Sequence, residues 1–427
     1  MSKLDELIQQ LCPDGVKYRK LEDIGVFENV GIDKKTIPGQ PLVSLLNYVD
    51  VYKNIYIDNS IPQMIVSSPI NKIKACSCEK GDIFITPTSE TKDDIGHASV
   101  ITETLENTVY SYHIMRFRLA DISMTTSFYI RYLFDVDIIK EQIYKLAKGL
   151  TRYGLSKNDF AKIEIPLPPL PVQEEIVRLL DQLTETTQKY QAELEAEQDA
   201  RKKQYEEYLN SFFGYDFDDL LANKEIKGYQ IMPLSELGIL TRGKRFVRDD
   251  VKASGQPCIH YGDLYTHYGI IADVTKTYLD RDFPKKMRYA QKGDVVIVGA
   301  GENDWDIGIG LVWNGEEPAA VHDACYILQH QMNPKYISYY LRSACYHLQI
   351  KKYVSTGKIC SISSEGIGKA LIPIPSLEKQ QRIVNILDRM DKAHKELCQS
   401  IETEIRMRKQ QYEYYRNQLL DFKKKEE

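Results

Sequence analysis

The sequence predicts an α+β protein made of two mixed α/β domains, each followed by one long helix, with the two helices paired as a coiled coil. Three observations predict it. "IPLPPLPVQEEIVRLLD" at Ile165 recurs as "IPIPSLEKQQRIVNILD" at Ile372, 207 residues later. Each copy opens a long stretch with apolar residues on alternating steps of four and three. Upstream of each copy, short β-rich runs come first and helical runs last, the order of α+β rather than of a parallel doubly wound sheet.

The first domain begins with "MSKLDELIQQ", acidic where a signal peptide needs an apolar core. "PLVSLLNYVDVY", "IYIDN", "GDIFITPT", "HASVIT" and "YHIMRFRL" then alternate with turn residues and predict strands. "TSFYIRYLFDVDIIKEQIYKLAKG" predicts helix. Pro166 to Pro171 end the last strand and forbid helix until about residue 170. That run also satisfies PxxP, the ligand pattern of polyproline-binding domains. The second copy keeps only Pro373 and Pro375, which favours a rigid exit from strand to helix.

The first long helix opens with Glu174 and Glu175, anions favoured by the macrodipole in a first turn. Its seam is Ile176, Leu180, Leu183, Tyr190, Leu194, Tyr205, Tyr208 and Phe212, interrupted at Thr187, Glu197 and Arg201. The second half repeats the series with "PCIHYGDLYT", "GDVVIVGAG", "IGIGLVWN", "ACYILQH" and then "PKYISYYLRSACYHLQIKKYV". Ser376 is a candidate N-cap for the second long helix, with Glu378 in its first turn. The second seam is Ile383, Leu387, Met390, Leu397, Ile401, Tyr412, Tyr415 and Leu419. A helix of about 40 residues is a rod of roughly 60 Å.

Between Ile165–Phe213 and Ile372–Leu420, 18 of 49 positions are identical without a gap. They include Pro166/Pro373, Gln173/Gln380, Asp181/Asp388 and Tyr208/Tyr415. A long period repeated only twice is a duplicated domain pair, not a solenoid. "KLEDIG" at Lys20 echoes "PLSELG" at Pro233, "KGDIFI" at Lys80 echoes "KGDVVI" at Lys292, and "TRYGLSKNDF" at Thr151 falls on "KICSISSEGI" at Lys358. The expected boundaries are residues 1–164 for the first domain, 165–223 for its helix and linker, 224–371 for the second domain, and 372–427 for the last helix.

With 427 residues, 43% hydrophobic and 27% charged, the chain is globular and too long for one ordinary domain. Net charge is −5, unevenly spread: −2 over 1–160, −8 over 161–223, +3 over 224–371 and +2 over 372–427. One helical block carries the deficit, and a near-neutral domain can still hold a basic strip. No apolar run reaches the length of a membrane span, so no membrane partner is expected. Eight cysteines in so long a chain do not make a disulfide framework, and a cytoplasmic location is expected. Cys76 and Cys78 are the only close pair and lack a matching second pair for zinc.

No catalytic constellation emerges. "VVIVGAGENDWDIG" imitates a dinucleotide fingerprint, but Asp304 stands where the third glycine belongs and no amphipathic helix follows. No nucleophile elbow, P-loop, HExxH pair or metal-spaced His/Cys cluster occurs, and there is no Asn-Pro-Pro-aromatic stretch of an amino-methyltransferase. We therefore expect no cofactor, no resident metal, and binding rather than turnover. What remains is polar, basic and aromatic loops. The second domain offers Arg242, Lys244, Arg245 and Arg248; Tyr261, Tyr265 and His267, with His260 and Tyr268 beside them; and Thr356, Lys358 and Ser361. The first offers Lys34 and Lys35; Thr88, Ser89, Glu90 and Lys92; and Thr151, Arg152 and Tyr153. Arg and Lys contact phosphates, and Arg, Thr and Ser also reach base edges. Any one of them can be an ordinary solvated charge; similar loops at equivalent places in both halves are harder to dismiss.

The two proline–helix stretches, the "KLEDIG" and "PLSELG" entries and the "GD" strands resemble the specificity subunit of type I restriction–modification systems, over essentially the whole chain. That resemblance implies two target-recognition domains, each binding one half of a split site in double-stranded DNA. It implies an antiparallel coiled coil that sets the half-site separation. It also implies two methyltransferase subunits and a restriction endonuclease–translocase subunit as partners, and no catalytic centre in this chain. The acidic first helix departs from a DNA-binding surface and is expected to face partners or solvent. A cytoplasmic coiled-coil scaffold without nucleic-acid binding is the alternative.

Overall fold

The computed structural model describes residues 2–214, the backbone of 225–226, residues 228–283 and residues 286–426. The expected linker over 215–223 lies outside the described residues. Two compact units form, Met1–Glu193 with Glu404–Glu427, and Leu194–Thr403. The division passes through both long helices, Leu170–Phe213 and Leu377–Leu420, each 44 residues. Among the described residues no helix is long and apolar enough to cross a membrane.

In the first unit a five-stranded sheet has the order Gly25–Glu28, Met115–Leu119, Ile83–Ile85, Ala98–Ile101, Tyr56–Ile57. A three-stranded sheet has Leu42–Leu46 between Met64–Ser67 and Thr108–Tyr110. The pairing is mostly antiparallel, with parallel pairs at Tyr56–Ile57 and Thr108–Tyr110. The expected single helix after the strands is two, Ser127–Leu133 and Asp137–Leu146. Val172, Ile176 and Leu180 from the first long helix and Leu420 from the second complete this core. The two helices run antiparallel here. Thr184 Oγ1 is 3.0 Å from the Tyr412 hydroxyl, and Arg408 lies over the Tyr190 ring at 5.9 Å, so numbers rise on one helix as they fall on the other.

The second unit repeats the plan. Its five-stranded sheet runs Gly238–Arg242, Cys325–His330, Val295–Val298, Gly310–Trp313, Ile271–Ala272. Its second sheet runs Thr277–Leu279, Gln256–Ile259, Ala319–Val321, Tyr289–Ala290. Pro334–Tyr340 and Ala344–Ile350 replace the single expected helix. Val384 and Leu387 join this core together with Leu209 and Phe213, the end of the first long helix. The helices are again antiparallel: Gln198 donates to Glu402 at 3.2 Å, and the Tyr205 and His394 rings stack at 4.8 Å.

Several of the residues identical between the copies are latches between helix and domain. Gln173 Nε2 donates to the Pro168 carbonyl at 2.7 Å while its Oε1 accepts the Thr126 N–H at 3.3 Å. Gln380 does the same with Pro375 at 2.7 Å and Asn333 at 3.0 Å. Asp181 accepts from the Tyr132 hydroxyl at 2.6 Å, and Asp388 from the equivalent Tyr339 at 2.9 Å. At the far end, Asn417 Oδ1 accepts the Asp137 N–H at 3.3 Å, and Asn210 Oδ1 accepts the Ala344 N–H at 2.9 Å. Buried polar groups without such partners would each cost about 1–3 kcal/mol.

The seam needs correction. Ile176, Leu180 and Leu387 pack into domain cores rather than between the helices, and Ile383 packs against the second core. Tyr190 is 52% and Leu397 39% exposed, while Ile401 is buried and Leu183, Leu194, Met390, Tyr205 and Tyr412 are half-buried. One apolar stripe serves two surfaces in succession, the domain first and the partner helix after. The interruptions have causes: Thr187 bonds back to the Leu183 carbonyl at 2.7 Å, and Glu197 pairs with Arg201 at 2.7 Å. Glu175 is not a free first-turn anion; it is buried between Arg178 and Lys3, at 2.6 and 2.7 Å. Ser376 accepts the Lys379 N–H at 3.4 Å as N-cap. Pro166 and Pro168 are buried, so the PxxP run is no exposed ligand.

Candidate nucleic-acid interface

In the first domain the chain leaves strand Ile83–Ile85 and enters a short strand, Thr88–Ser89. This pairs antiparallel with Tyr153–Gly154, Tyr153 opposite Ser89 and Gly154 opposite Thr88. Two loops 64 to 66 residues apart in sequence thus meet. Arg152 donates to Thr88 Oγ1 at 3.2 Å, and Lys92 lies over the Tyr144 and Tyr153 rings at 5.2 and 5.6 Å. Lys148 and Gly154 bridge and close the tip that carries Thr151. Gly149, at φ 142°, is required there, because a Cβ would meet the Arg152 carbonyl oxygen at 2.0 Å.

Helix Tyr48–Lys53 supplies aromatic groups beside this ladder. The Tyr48 hydroxyl donates to the Thr88 carbonyl at 3.2 Å and the Tyr52 hydroxyl to Asp94 at 3.0 Å. Asp94 also accepts from Ser89 at 2.9 Å, and His97 Nε2 lies 2.9 Å away. Burial works to raise the Asp94 pKa, but the bonds from His97, Ser89 and Tyr52 hold it below the usual carboxylate value. Burial, then Lys34 and Arg152, push the His113 imidazole down, so both cations lie in its field. Lys35 is less available: its ammonium pairs with Asp33 at 2.8 Å.

The second domain builds the same ladder from different residues. Ala300–Gly301 pairs with Cys360–Ser361, Cys360 opposite Gly301 and Ser361 opposite Ala300, and Ser355 bridges Ser361. Register and closing bridge match the first domain. "VGAGENDWD" is therefore a strand-to-loop turn in this ladder, and it follows strand Val295–Val298 without a helix. Thr356, Lys358 and Ser361 are exposed on it. Helix Tyr261–Thr266 holds the equivalent position to Tyr48–Lys53. Its Tyr261 ring is 5.6 Å from His322, and the negative field at Tyr265 includes Asp306 and Glu302. His267 is exposed, edge-on to Tyr268 at 5.1 Å.

The four cations of "TRGKRFVRDD" are exposed but unequal. Arg242 donates through Nε to the Asp323 carbonyl at 2.7 Å, which ties it to the scaffold. Lys244, Arg245 and Arg248 project from a stretch pinned by the buried Phe246. Among the described residues no hydrogen bond or ion pair joins this stretch to Thr356, Lys358 or Ser361.

Sequence reasoning missed Tyr48, Tyr52, Asp94, His97, His113, Phe246 and His322. One signal was available: Tyr48-x-Asp50-x-Tyr52 matches Tyr261-x-Asp263-x-Tyr265, so Tyr48 and Tyr52 were legible from the repeat. Among the described residues no group of three or more His, Cys, Asp and Glu is placed to hold a metal, and all eight cysteines are unpaired thiols.

Comparison with known proteins agrees with this duplication. A type I restriction enzyme specificity subunit of Escherichia coli is 28% identical over 285 residues, 64% of this chain and 67% of that one. A solved chain from a structure on complex assembly and conformational transition of the type I R-M system has a TM-score of 0.71 at 17% identity, covering 96% of this chain and 98% of its own. The HsdS subunit from Thermoanaerobacter tengcongensis has a TM-score of 0.53 at 17% identity, covering 96% and 97%. The model of the type I restriction modification DNA specificity domain matches twice, over residues 13–197 and 226–407, and the chain belongs to that family.

Proposed function

We propose that this chain is the DNA sequence-recognition subunit of a type I restriction–modification complex, each domain reading one half of a split, asymmetric site. The observation that carries this is the pair of loop ladders, identical in register and closure, built from different side chains. A shared scaffold with divergent loops is what two reading heads for two different half-sites need. The bound partner is double-stranded DNA, with Lys34, Lys92, Arg152, Lys244, Arg245, Arg248 and Lys358 as phosphate or base contacts and Thr88, Ser89, Thr151, Tyr153, Tyr261, Tyr265, His267, Thr356 and Ser361 beside them.

The paired helices set the half-site spacing, because a rod holds a distance that a flexible linker cannot. Two methyltransferase subunits dock on them, and a restriction subunit joins the full complex in the cytoplasm. Tyr208 and Tyr415 support the docking surface. They are equivalent, identical and 45% and 46% exposed, so an aromatic surface stands open at matching places on both helices. This chain supplies recognition; the reaction belongs to the partners, which also carry much of the phosphate contact. The scaffold alternative gains nothing from the family match. A single-molecule methylome of the host with and without this gene tests the reading. Loss of one split motif on deletion is expected; an unchanged methylome in a strain that expresses the complex would refute it.

A further inference from the structure

The basic stretch of the second domain is held in place at several atoms. The Gly243 N–H donates to the Cys325 carbonyl and the Lys244 N–H to the Val321 carbonyl, both at 2.9 Å. A Cβ at Gly243 would meet the His322 carbonyl oxygen at 2.1 Å, so the approach is as close as backbone allows. Phe246, 1% exposed, anchors a small core with Cys258, Leu279, Met287 and Ala320.

The remaining tie is His322. Its Nε2 lies 3.1 Å from the Phe246 carbonyl oxygen, and its ring meets the Phe246 ring edge-on at 4.9 Å. Its Nδ1 accepts the Ala324 N–H at 3.1 Å. A ring whose Nδ1 accepts carries its proton on Nε2, so Nε2 donates to the carbonyl, and only the neutral imidazole makes both bonds. Lys244 and Arg245 lie between the anchored Gly243 and Phe246. Both are exposed, and neither side chain enters an ion pair or hydrogen bond among the described residues.

The first domain shows what the imidazole adds. Ser111 occupies the equivalent place: its N–H donates to the Leu46 carbonyl at 2.9 Å, as that of His322 donates to Ile259 at 3.1 Å. Ser111 Oγ accepts the His113 N–H at 3.3 Å, as Nδ1 of His322 accepts that of Ala324. The serine has no second polar atom to reach the basic loop. The clasp is a feature of the second domain.

We propose that His322 is a positioning residue for DNA readout by the second domain, holding the Phe246 carbonyl so that Lys244 and Arg245 meet the base edges from a fixed direction. This rests on the specificity-subunit reading above. The groups facing the ring are the His260 imidazole at 4.6 Å, the Tyr261 ring at 5.6 Å, the Asp323 carboxylate 3.3 Å from Nδ1, and Arg245. A proton on Nδ1 would oppose the Ala324 N–H and turn toward Asp323, while Nε2–H keeps donating to the Phe246 carbonyl oxygen, so the hold on the basic stretch does not depend on the charge of the ring. Burial, then His260, hold the imidazole below its ordinary pKa, so at neutral pH the ring makes both bonds, to Ala324 and to Phe246.

The test uses the complex assembled with its methyltransferase partner. Methylation rates are measured on the host's site and on each single-base variant of both halves, for the wild type, His322→Phe and His322→Gln. We expect His322→Phe to lose tenfold or more of its discrimination at one or more positions of the second domain's half, with the other half unchanged. His322→Gln, which can both accept and donate, recovers part of it. Unchanged discrimination in His322→Phe, or equal loss in both halves, overturns the proposal. If His322→Phe does not assemble, His322→Asn, which keeps an acceptor for the Ala324 N–H but is too short to reach the Phe246 carbonyl, takes its place, and unchanged discrimination in the second half then overturns the proposal. A wild-type complex that methylates no split site would instead refute the specificity reading itself.

Discussion

Single residues carry either the latches or the readout. Gln380 spends both ends of its amide on buried backbone groups. Gln380→Ala is expected to cost about 2 kcal/mol, measured by urea unfolding, because it orphans them. Glu175 titrates near 2, pulled down first by Arg178 and then by Lys3. A depressed carboxylate stabilises fully above its ordinary pKa and loses that contribution as pH falls through the depressed value. Thermal stability should therefore decline between about pH 4.5 and 2, and Glu175→Gln should flatten that decline. Lys358→Ala should weaken modification by about 1–3 kcal/mol if Lys358 meets a base, and lower the salt slope by about one if it meets phosphate. The sequence shows which side chains are cationic. It does not show that Lys35 is neutralised by Asp33 or that Arg242 is tied to Asp323. Those facts depend on where a loop folds back.

At the scale of elements, the proline stops and the four-three stripe made the two helices legible, because strand exit and helical period are local properties. The destination of the stripe was not. Ile176 and Leu387 look like seam residues by spacing, yet their turns are turned toward domain cores by the Gln173 and Gln380 latches. The helix ends matter equally: Asn210 and Asn417 cap helices of the domains they reach. Asn417→Ala should cost about 1 kcal/mol by removing a cap, read as a lower unfolding midpoint. Four residues inserted near Leu194 should change the spacer of the methylated motif or abolish modification. An unaffected motif would count against the helices as the spacing element. The two short ladders, of two residues per strand, lie below what periodicity can detect.

For the molecule as a whole, duplication predicts modularity. Replacing residues 224–371 with the same segment of a relative should change one half of the methylated motif and leave the other, as read in the methylome. Changes in both halves would mean that the reading heads are not independent. The sequence by itself determined the duplication, the α+β class, the two long helices and the loop families that could bear DNA contacts. All of these are written in local pattern, in a period of 207 residues and in charge. Tertiary structure alone decided that each unit completes its core with the end of the other half's helix, that distant loops pair in one register, and that His322 holds the basic loop. Those outcomes arise from contacts between residues tens to hundreds of positions apart. Burial and hydrogen-bond satisfaction choose among the partners that local pattern leaves open.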